Sequence, residues 1–325
     1  MADALPLRTP FVVQVFPVYA CNFKCNYCVF CLDKKERRFI SDKVVMDFSL
    51  YRKTIDGLAL FSDKIKVLRF VGIGEPLLHK RIADMVKLAV LKDVADTVEI
   101  VTNASVLTPS LSDALISAGL SRLVVSIQGI TKEKYQEVSK VRINFENLVE
   151  NIRYFFKNKD KTHVYIKMAD DAFLDGEAGK KKFYEIFGGI CDSFGMEHII
   201  PIYSLIDYKG TLKESKDMSQ TQFGLPVPEL KICHQPFFHM QLNPDGKVVP
   251  CYSWEYPEII GDANRQSMFE IWNGEQFRQF RRRMIDGRKS VCKICAECNI
   301  SKYRIFPEDI LSDNDAEKLK ELFDN

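Results

Sequence analysis

The sequence predicts an α/β chain: a partial (β/α)6 TIM-like barrel followed by a small C-terminal α+β appendage. Three observations carry this expectation. Short β-rich apolar runs alternate with amphipathic segments from residue 11 to residue 203. The pattern changes after a polar connector that ends near residue 232. The ten cysteines collect at the two ends of the chain, four at 21–31 and five from Cys233 onward, with Cys191 alone between. Strands alternating with helices build βαβ units and a parallel sheet. About six such units can close into a partial barrel, whose chemistry gathers at the C-terminal ends of the strands.

The elements justify themselves in order. "FVVQVFPVY" (11–19) is β-rich and apolar and runs straight into Cys21. "DFSLYRKTIDGLALFSD" (47–63) spaces its apolar residues as a helix does. "KVLRFVGIG" (66–74) is a buried-strand run ending in glycines. In "KRIADMVKLAVL" (80–91), Ile82, Met85, Val86 and Ala89 share one helical face. "TVEIVTN" (97–103) reads as a strand, "SLSDALISAG" (110–119) as a helix closed by Gly119, and "SRLVVSIQG" (121–129) as a strand. Thr131 is placed to cap "KEKYQEVSK". "HVYIKMA" (163–169), a helix over about 179–194 and a strand "EHIIPIY" (197–203) complete the barrel. Residues 204–232 read as a connector. "FFHMQLNPDGKVVPCYSW" reads as two strands around the turn Asn243-Pro244-Asp245-Gly246. "MFEIWNGEQFRQFRRRMIDG" is helical, with Trp272, Phe277 and Phe280 as core. The domain expectation is barrel 1–203, connector 204–232, appendage 233–306 and a charged surface helix within 307–325, starting near Ser312.

Composition excludes several classes. With 325 residues, 46% hydrophobic and 28% charged, the chain is an ordinary globular one. A net charge of +2 points to neither nucleic acid nor a membrane surface as partner. No apolar run reaches the roughly 18 residues of a membrane span, and the N-terminus shows no signal-peptide pattern. A cytoplasmic chain is expected, in which clustered cysteines read as metal ligands before disulfides. Five histidines make a His-based metal centre a poor fit.

Cys21, Cys25 and Cys28 have the spacing C-x3-C-x2-C. Three thiolates so spaced can hold a [4Fe–4S] cluster and leave one iron open. A zinc knuckle of Cys25, Cys28 and Cys31 is the alternative. The segment resembles the radical S-adenosylmethionine (SAM) enzymes, which carry this motif after the first barrel strand with an aromatic before the last cysteine, here Tyr27. "GIGEP" (72–76) is similar to the family's Gly-Gly-Glu-Pro segment, which binds the SAM amino group. The resemblance therefore implies SAM contacts for Gly72, Gly74 and Glu75, with Glu75 accepting from the ammonium. "VTNA" (101–104) resembles the family's "TNG", placing Asn103 at the site. "SIQG" (126–129) resembles "SxDG" near the ribose and carboxylate, placing Ser126 and Gln128 there. Cys31 is left over, as a small loop residue or a thiol hydrogen donor.

Cys233, Gly246, Cys251, "GDANRQSMFEIWN" and "CKICAEC" resemble the SPASM/Twitch extension of radical SAM enzymes. The five cysteines here can complete one auxiliary [4Fe–4S] cluster and not two, which implies the shortened, Twitch-like form. The preferred ligands are Cys233, Cys251, Cys292 and Cys295, with Cys298 as a replacement for Cys295. A structural four-cysteine zinc site is the alternative. Cys191 reads as core on a barrel helix.

The resemblance implies a shared first step. The open cluster reduces SAM, and the resulting 5′-deoxyadenosyl radical takes a hydrogen atom from unactivated carbon. It also implies a flavodoxin- or ferredoxin-type electron donor. Twitch-bearing relatives include alcohol dehydrogenases acting on aminocyclitols, whereas SPASM relatives modify peptides or sulfatases. Only 20 residues precede Cys21, too few for a leader-binding domain, so a small polar alcohol such as a sugar or cyclitol is the expected substrate. Lys167 and Asp170 are the candidate catalytic residues, for substrate or SAM carboxylate contacts. A peptide maturase, a redox-neutral epimerase and a non-catalytic metal-binding scaffold stand as alternatives.

Overall fold

The computed structural model describes residues 2–37, 43–170, 173–208, 219–252 and 255–324. Six parallel strands follow one another across a sheet in sequence order: β1 (Val12–Val15), β2 (Ile65–Phe70), β3 (Ala95–Thr102), β4 (Arg122–Ile127), β5 (His163–Met168) and β6 (Ser193–Met196). Helices connect them: α1 (Phe48–Leu58), α2 (Ile82–Leu91), α3 (Pro109–Ser117), α4 (Lys132–Ser139), α5 (Phe145–Asn158) and α6 (Gly176–Phe187). This is the mixed α/β, partial-barrel architecture that the alternation predicts.

Period-2 patterning decides which side chains face the barrel interior. On β2, Leu68 and Phe70 are fully buried towards the core, while Arg69 points the other way and meets Glu99 of β3. The helices bury stripes at three- and four-residue spacing. α5 contributes Phe145, Leu148, Val149, Ile152 and Phe155, and Phe145 packs edge-on to Phe187 of α6. Each such ring contributes about 1.5–3 kcal/mol when fully buried.

Several boundaries differ from expectation. α5 is an element beyond those read from the sequence, though Asn144 caps it by accepting from the Asn147 N–H at 2.9 Å. The last barrel strand is Ser193–Met196, not 197–203. Pro201 lacks the N–H a ladder needs, and α6 ends at Phe187 before the Gly188-Gly189 pair. Cys191 therefore sits in the turn before β6, not in a helix, and is part of the core. Thr131 does cap α4, accepting from the Lys134 N–H. Residues 209–218 of the connector and 253–254 lie outside the described residues.

The C-terminal part continues the same sheet. β7 (His239–Leu242) lies parallel to β1, and β8 (Lys247–Val249) and β9 (Gly261–Asp262) follow antiparallel. Gly246 supplies φ 92° in the β7–β8 turn, so the chain returns to set Cys251 beside Cys233. The helical stretch after it is two helices, α7 (Met268–Asn273) and α8 (Glu275–Ile285), broken where Gly274 is extended at ψ 153°. Trp272, Phe277 and Phe280 are buried there. Arg281 is buried as well, its guanidinium 3.9 Å from the Trp272 ring centre and 3.7 Å from that of Phe277. Although it stands in the basic run Arg281–Arg283, Arg281 is not a solvated surface charge: it donates to the Pro236 and Trp272 carbonyls. Two short helices, α9 (Lys293–Glu297) and α10 (Ile300–Tyr303), precede α11 (Asp313–Asp324), which begins after a Ser312–Asp315 capping pair.

Candidate active site and iron–sulfur centres

The loop after β1 carries the first three cysteines and is tied down on both flanks. The Lys24 and Asn26 N–H groups donate to the Ser139 and Val138 carbonyls at the end of α4, each at 2.9 Å. Cys25 is buried, and Cys21 and Cys28 are half-buried. The three thiols lie within each other's fields, as the mutual effects of Cys21, Cys25 and Cys28 show. Burial pushes Cys21 up to about 12, Cys28 up to about 11 and Cys25 well above the ordinary thiol value. Thiols so desolvated would give up their protons on coordinating a metal centre.

The glycines of "GIGEP" are dictated by close approach. A Cβ at Gly72 would lie 2.3 Å from the Phe16 ring, and one at Gly74 would lie 1.9 Å from the Val18 carbonyl oxygen. Both have φ beyond +130°. This contact presses the segment onto the strand that leads to Cys21, and the Glu75 N–H donates to Ala20 O at 2.8 Å. The Glu75 carboxylate is buried and already accepts three donors: the Thr102 hydroxyl at 2.6 Å and the Asn103 and Leu77 N–H groups at 2.8 and 3.0 Å. Burial raises its pKa against the lowering by those bonds. Of its roughly four lone-pair sites, one remains for a ligand, so Glu75 is first a tie between the ends of β2 and β3.

Asn103 reaches the cysteine loop directly, its amide donating to Asn22 Oδ1 at 3.1 Å and approaching Cys21 Sγ at 3.9 Å. Ala104 follows at φ 55°, a left-handed position where the resembled motif has glycine. Gln128 donates to the Tyr27 hydroxyl at 3.4 Å, and Tyr27 in turn bonds the Cys25 thiol. Among the described residues, no donor meets the buried Gln128 Oε1, the state expected of an acceptor awaiting a ligand hydroxyl. Ser126 and Lys167 stand opposite each other on β4 and β5.

Beside these residues lies one large cavity of about 550 Å³, within the usual range for small-molecule sites. Tyr27, Ser126 and Lys167 line it. Lys167 pairs with Glu197 at 2.6 Å. Burial pulls Glu197 up, but Lys167 and Arg304 outweigh it and hold the carboxyl below its ordinary value. Asp170 stands behind the wall: it is fully buried and accepts from the Ile199 N–H at 2.5 Å, joining the end of β5 to the chain after β6. Sequence reasoning missed Gln14, Arg69, Glu99, Arg122, Glu197, Tyr252 and Arg304, all on the cavity wall. The available signal was a charge inside an apolar strand run, as in "KVLRFV" and "TVEIV".

The second cysteine set surrounds a small apolar hollow whose wall includes Cys233, Cys251, Cys295 and Cys298. Cys292 stands beside it, its thiol accepting from the Cys295 N–H at 3.4 Å. Cys251 lies in the field of all four other thiols. Burial pushes Cys233 up to about 12 and holds Cys251 and Cys295 well above the ordinary thiol value. Cys298 thus joins Cys295 at the hollow, where the sequence offered them as substitutes. Among the described residues, no three Cys, His, Asp or Glu side chains converge on one point as a single metal ion requires. Four thiols on the wall of one hollow are the donor set an iron–sulfur cluster takes.

The radical SAM superfamily model matches residues 15–169, and the SPASM model, an iron–sulfur cluster-binding domain, matches residues 233–299. The chain is a radical SAM enzyme with a C-terminal SPASM domain. Its radical SAM domain implies a [4Fe–4S] cluster and SAM, and its SPASM domain an auxiliary iron–sulfur centre. Curated relatives include GTP 3′,8-cyclase of Chlorobaculum tepidum, 32% identical over 142 residues, which are 43% of this chain and 39% of that one. The tungsten-containing aldehyde ferredoxin oxidoreductase cofactor-modifying protein of Pyrococcus furiosus is 23% identical over 304 residues, 80% of each chain. Among solved structures, Streptococcus suis SuiB bound to SAM superposes with TM-score 0.64 at 14% identity over 91% of this chain and 72% of that one. BtrN in complex with AdoMet and 2-DOIA superposes with TM-score 0.54 at 19% identity, covering 89% and 92%. These likenesses establish the fold. Among the described residues, no helix is long and apolar enough to cross a membrane.

Proposed function

We propose that this radical SAM enzyme oxidises a small polar substrate at a hydroxyl-bearing carbon held in the large cavity between its two cysteine centres. One observation carries the reading: Tyr252, next to Cys251, lines both the large cavity and the hollow of the second cysteine set. On the other side, Tyr27 lines the same cavity and hydrogen-bonds Cys25. Cys21, Cys25 and Cys28 would hold the SAM-binding cluster, and the set around Cys251 the auxiliary one. When bound, the first centre, reduced by a flavodoxin- or ferredoxin-type donor, would supply with SAM a hydrogen-abstracting radical, and the second would accept the electron that the substrate then gives up.

The chain's own residues do the rest. Tyr27, Ser126 and Gln128 position SAM at the strand ends. The enclosing wall keeps water and stray hydrogen sources away from the reacting carbon. Glu197, kept ionised by Lys167 and Arg304, can take the hydroxyl proton as carbonyl character develops. Lys167 thus acts through Glu197, and Asp170 holds the wall.

The test is Cys233→Ala with the first centre intact. The variant is expected to cleave SAM to 5′-deoxyadenosine without yielding oxidised product, with circular dichroism and iron analysis confirming fold and the first cluster. A folded variant that turns substrate over normally overturns the oxidation and leaves a redox-neutral reaction such as an epimerisation.

A further inference from the structure

The large cavity has a floor of unbalanced positive charge. Resting on the reading that this cavity holds the substrate, we propose that the substrate is an anion whose phosphate or carboxylate group is gripped by Arg304 and Arg122. Gln14, Arg69, Glu99 and Arg122 stand in one lateral row across β1 to β4. Arg69 and Arg122 share the single Glu99 carboxylate, Arg122 at 3.2 Å. The chain just beyond the SPASM match adds a third guanidinium, Arg304, which lies 4.7 Å over the Tyr252 ring. Among the described residues, no carboxylate comes within ion-pair distance of Arg304. On β7 the row continues at Gln241, and the fields of Arg69 and Arg304 both reach His239 two residues before it. Four cationic side chains, Arg69, Arg122, Arg304 and Lys167, thus share this wall with two carboxylates, Glu99 and Glu197, and Glu197 lies in the fields of both Lys167 and Arg304.

A guanidinium cannot shed its proton at any ordinary pH. The excess charge must be met by a bound anion or left to solvent in a walled cavity, where the field is focused. Two further observations mark a prepared site. Among the described residues, the buried Nε of Arg122 has no hydrogen-bond partner, and neither has the Oε1 of Gln14, whose side chain is 4% exposed. The first is a free donor of the kind that a bidentate oxyanion takes. The second is a free acceptor for a substrate hydroxyl.

The row also sets an orientation. Arg122 lies four residues before Ser126 on β4, about 13 Å at roughly 3.3 Å per residue. An anionic group held at the floor therefore directs the rest of the substrate up towards Tyr27 and Ser126, where the sequence motifs place SAM. The substrate class is a hydroxylated acid or phosphate ester of roughly sugar length, not a neutral cyclitol.

Isothermal calorimetry at low ionic strength tests this on the full chain, loaded anaerobically with iron–sulfur clusters and SAM. The probes are inorganic phosphate, D-glucuronate and D-glucose. Saturable one-to-one binding is expected for phosphate or glucuronate and not for glucose, and which anion binds identifies the group. Arg304→Gln and Arg122→Gln should each weaken it about tenfold or more, with SAM affinity within about twofold of the parent. Absence of saturable binding by both anions, or parent-like binding in both variants, overturns the proposal. A parallel loss of SAM affinity in Arg304→Gln also overturns it, because Arg304 would then serve the SAM carboxylate. If Arg304→Gln loses auxiliary iron, Arg122→Gln decides, since it lies on a barrel strand apart from the C-terminal cysteines. Binding is read without turnover. Loss of oxidised product with anion binding intact refutes the oxidation alone, and the reverse result refutes the anionic substrate alone.

Discussion

Glu75 separates two roles that predict different measurements. Read as a SAM ligand only, its removal weakens SAM and leaves the fold untouched. The structure shows instead a buried carboxylate that accepts from Thr102, Asn103 and Leu77. Glu75→Ala strands two backbone N–H groups and a hydroxyl in the core. Each orphan costs about 1–3 kcal/mol, less where water enters the space left behind, so a total of about 3–6 kcal/mol is expected. Glu75→Gln keeps one oxygen but turns an NH2 towards one of the donors, at a cost of about 1–3 kcal/mol. At about 2.1 cal/mol/K per residue, a chain of 325 residues has an unfolding entropy near 0.7 kcal/mol/K. The alanine variant should therefore melt about 4–9 °C below the parent and the glutamine variant about 1–4 °C below. Differential scanning calorimetry of SAM-free protein, with iron content measured alongside, checks the order. A Glu75→Ala protein with a parental melting temperature and weakened SAM binding would refute the structural role and return Glu75 to the ligand.

Three other outcomes follow from the same geometry. Replacing Cys21, Cys25 and Cys28 together by Ala should leave about half of the roughly eight irons of a two-cluster chain; unchanged iron on analysis, or stoichiometric zinc, would exclude two separate clusters. Gly74→Ala places a Cβ 1.9 Å from the Val18 oxygen at φ 147°, so overpacking and strain of about 2–5 kcal/mol should lower the melting temperature and the iron retained at the first centre together; normal iron loading in this variant would contradict the close packing. His239 is held neutral by burial, then by Arg69 and Arg304, with its value pushed down to about 3. The unfolded imidazole titrates near 6.5, so as pH falls below about 6.5 the unfolded state binds a proton that the folded state refuses, and stability drops until about pH 3. Chemical denaturation of the parent and His239→Gln between pH 7 and 5 should show a steeper loss in the parent; equal slopes would mean that His239 charges in the folded state.

Much of the site was legible because its parts are local. The spacing of Cys21, Cys25 and Cys28, and the short motifs at the ends of β2, β3 and β4, each lie within a few residues of chain. The barrel was legible because parallel strands and amphipathic helices write different periods. Boundaries were less so: α5 escaped notice despite its five-residue apolar stripe, and β6 was placed four residues late because "EHIIPIY" is as apolar as a strand and its proline was given too little weight.

By itself the sequence determined the barrel, the two cysteine centres and the family to which they belong. Tertiary structure alone decided which charged residues face the cavity and which cysteines share a hollow. Arg69, Glu99 and Arg122 meet only when three strands align in register, and Arg304 reaches the cavity wall from the far end of the chain. Tyr252 lines both the large cavity and the hollow of the second cysteine set because β7 pairs with β1 and folds the C-terminal hairpin onto the barrel. Such contacts join residues separated by tens to hundreds of positions. The physical reason they are silent in the sequence is that register, burial and shared charge are properties of the packed chain and not of any local stretch of it.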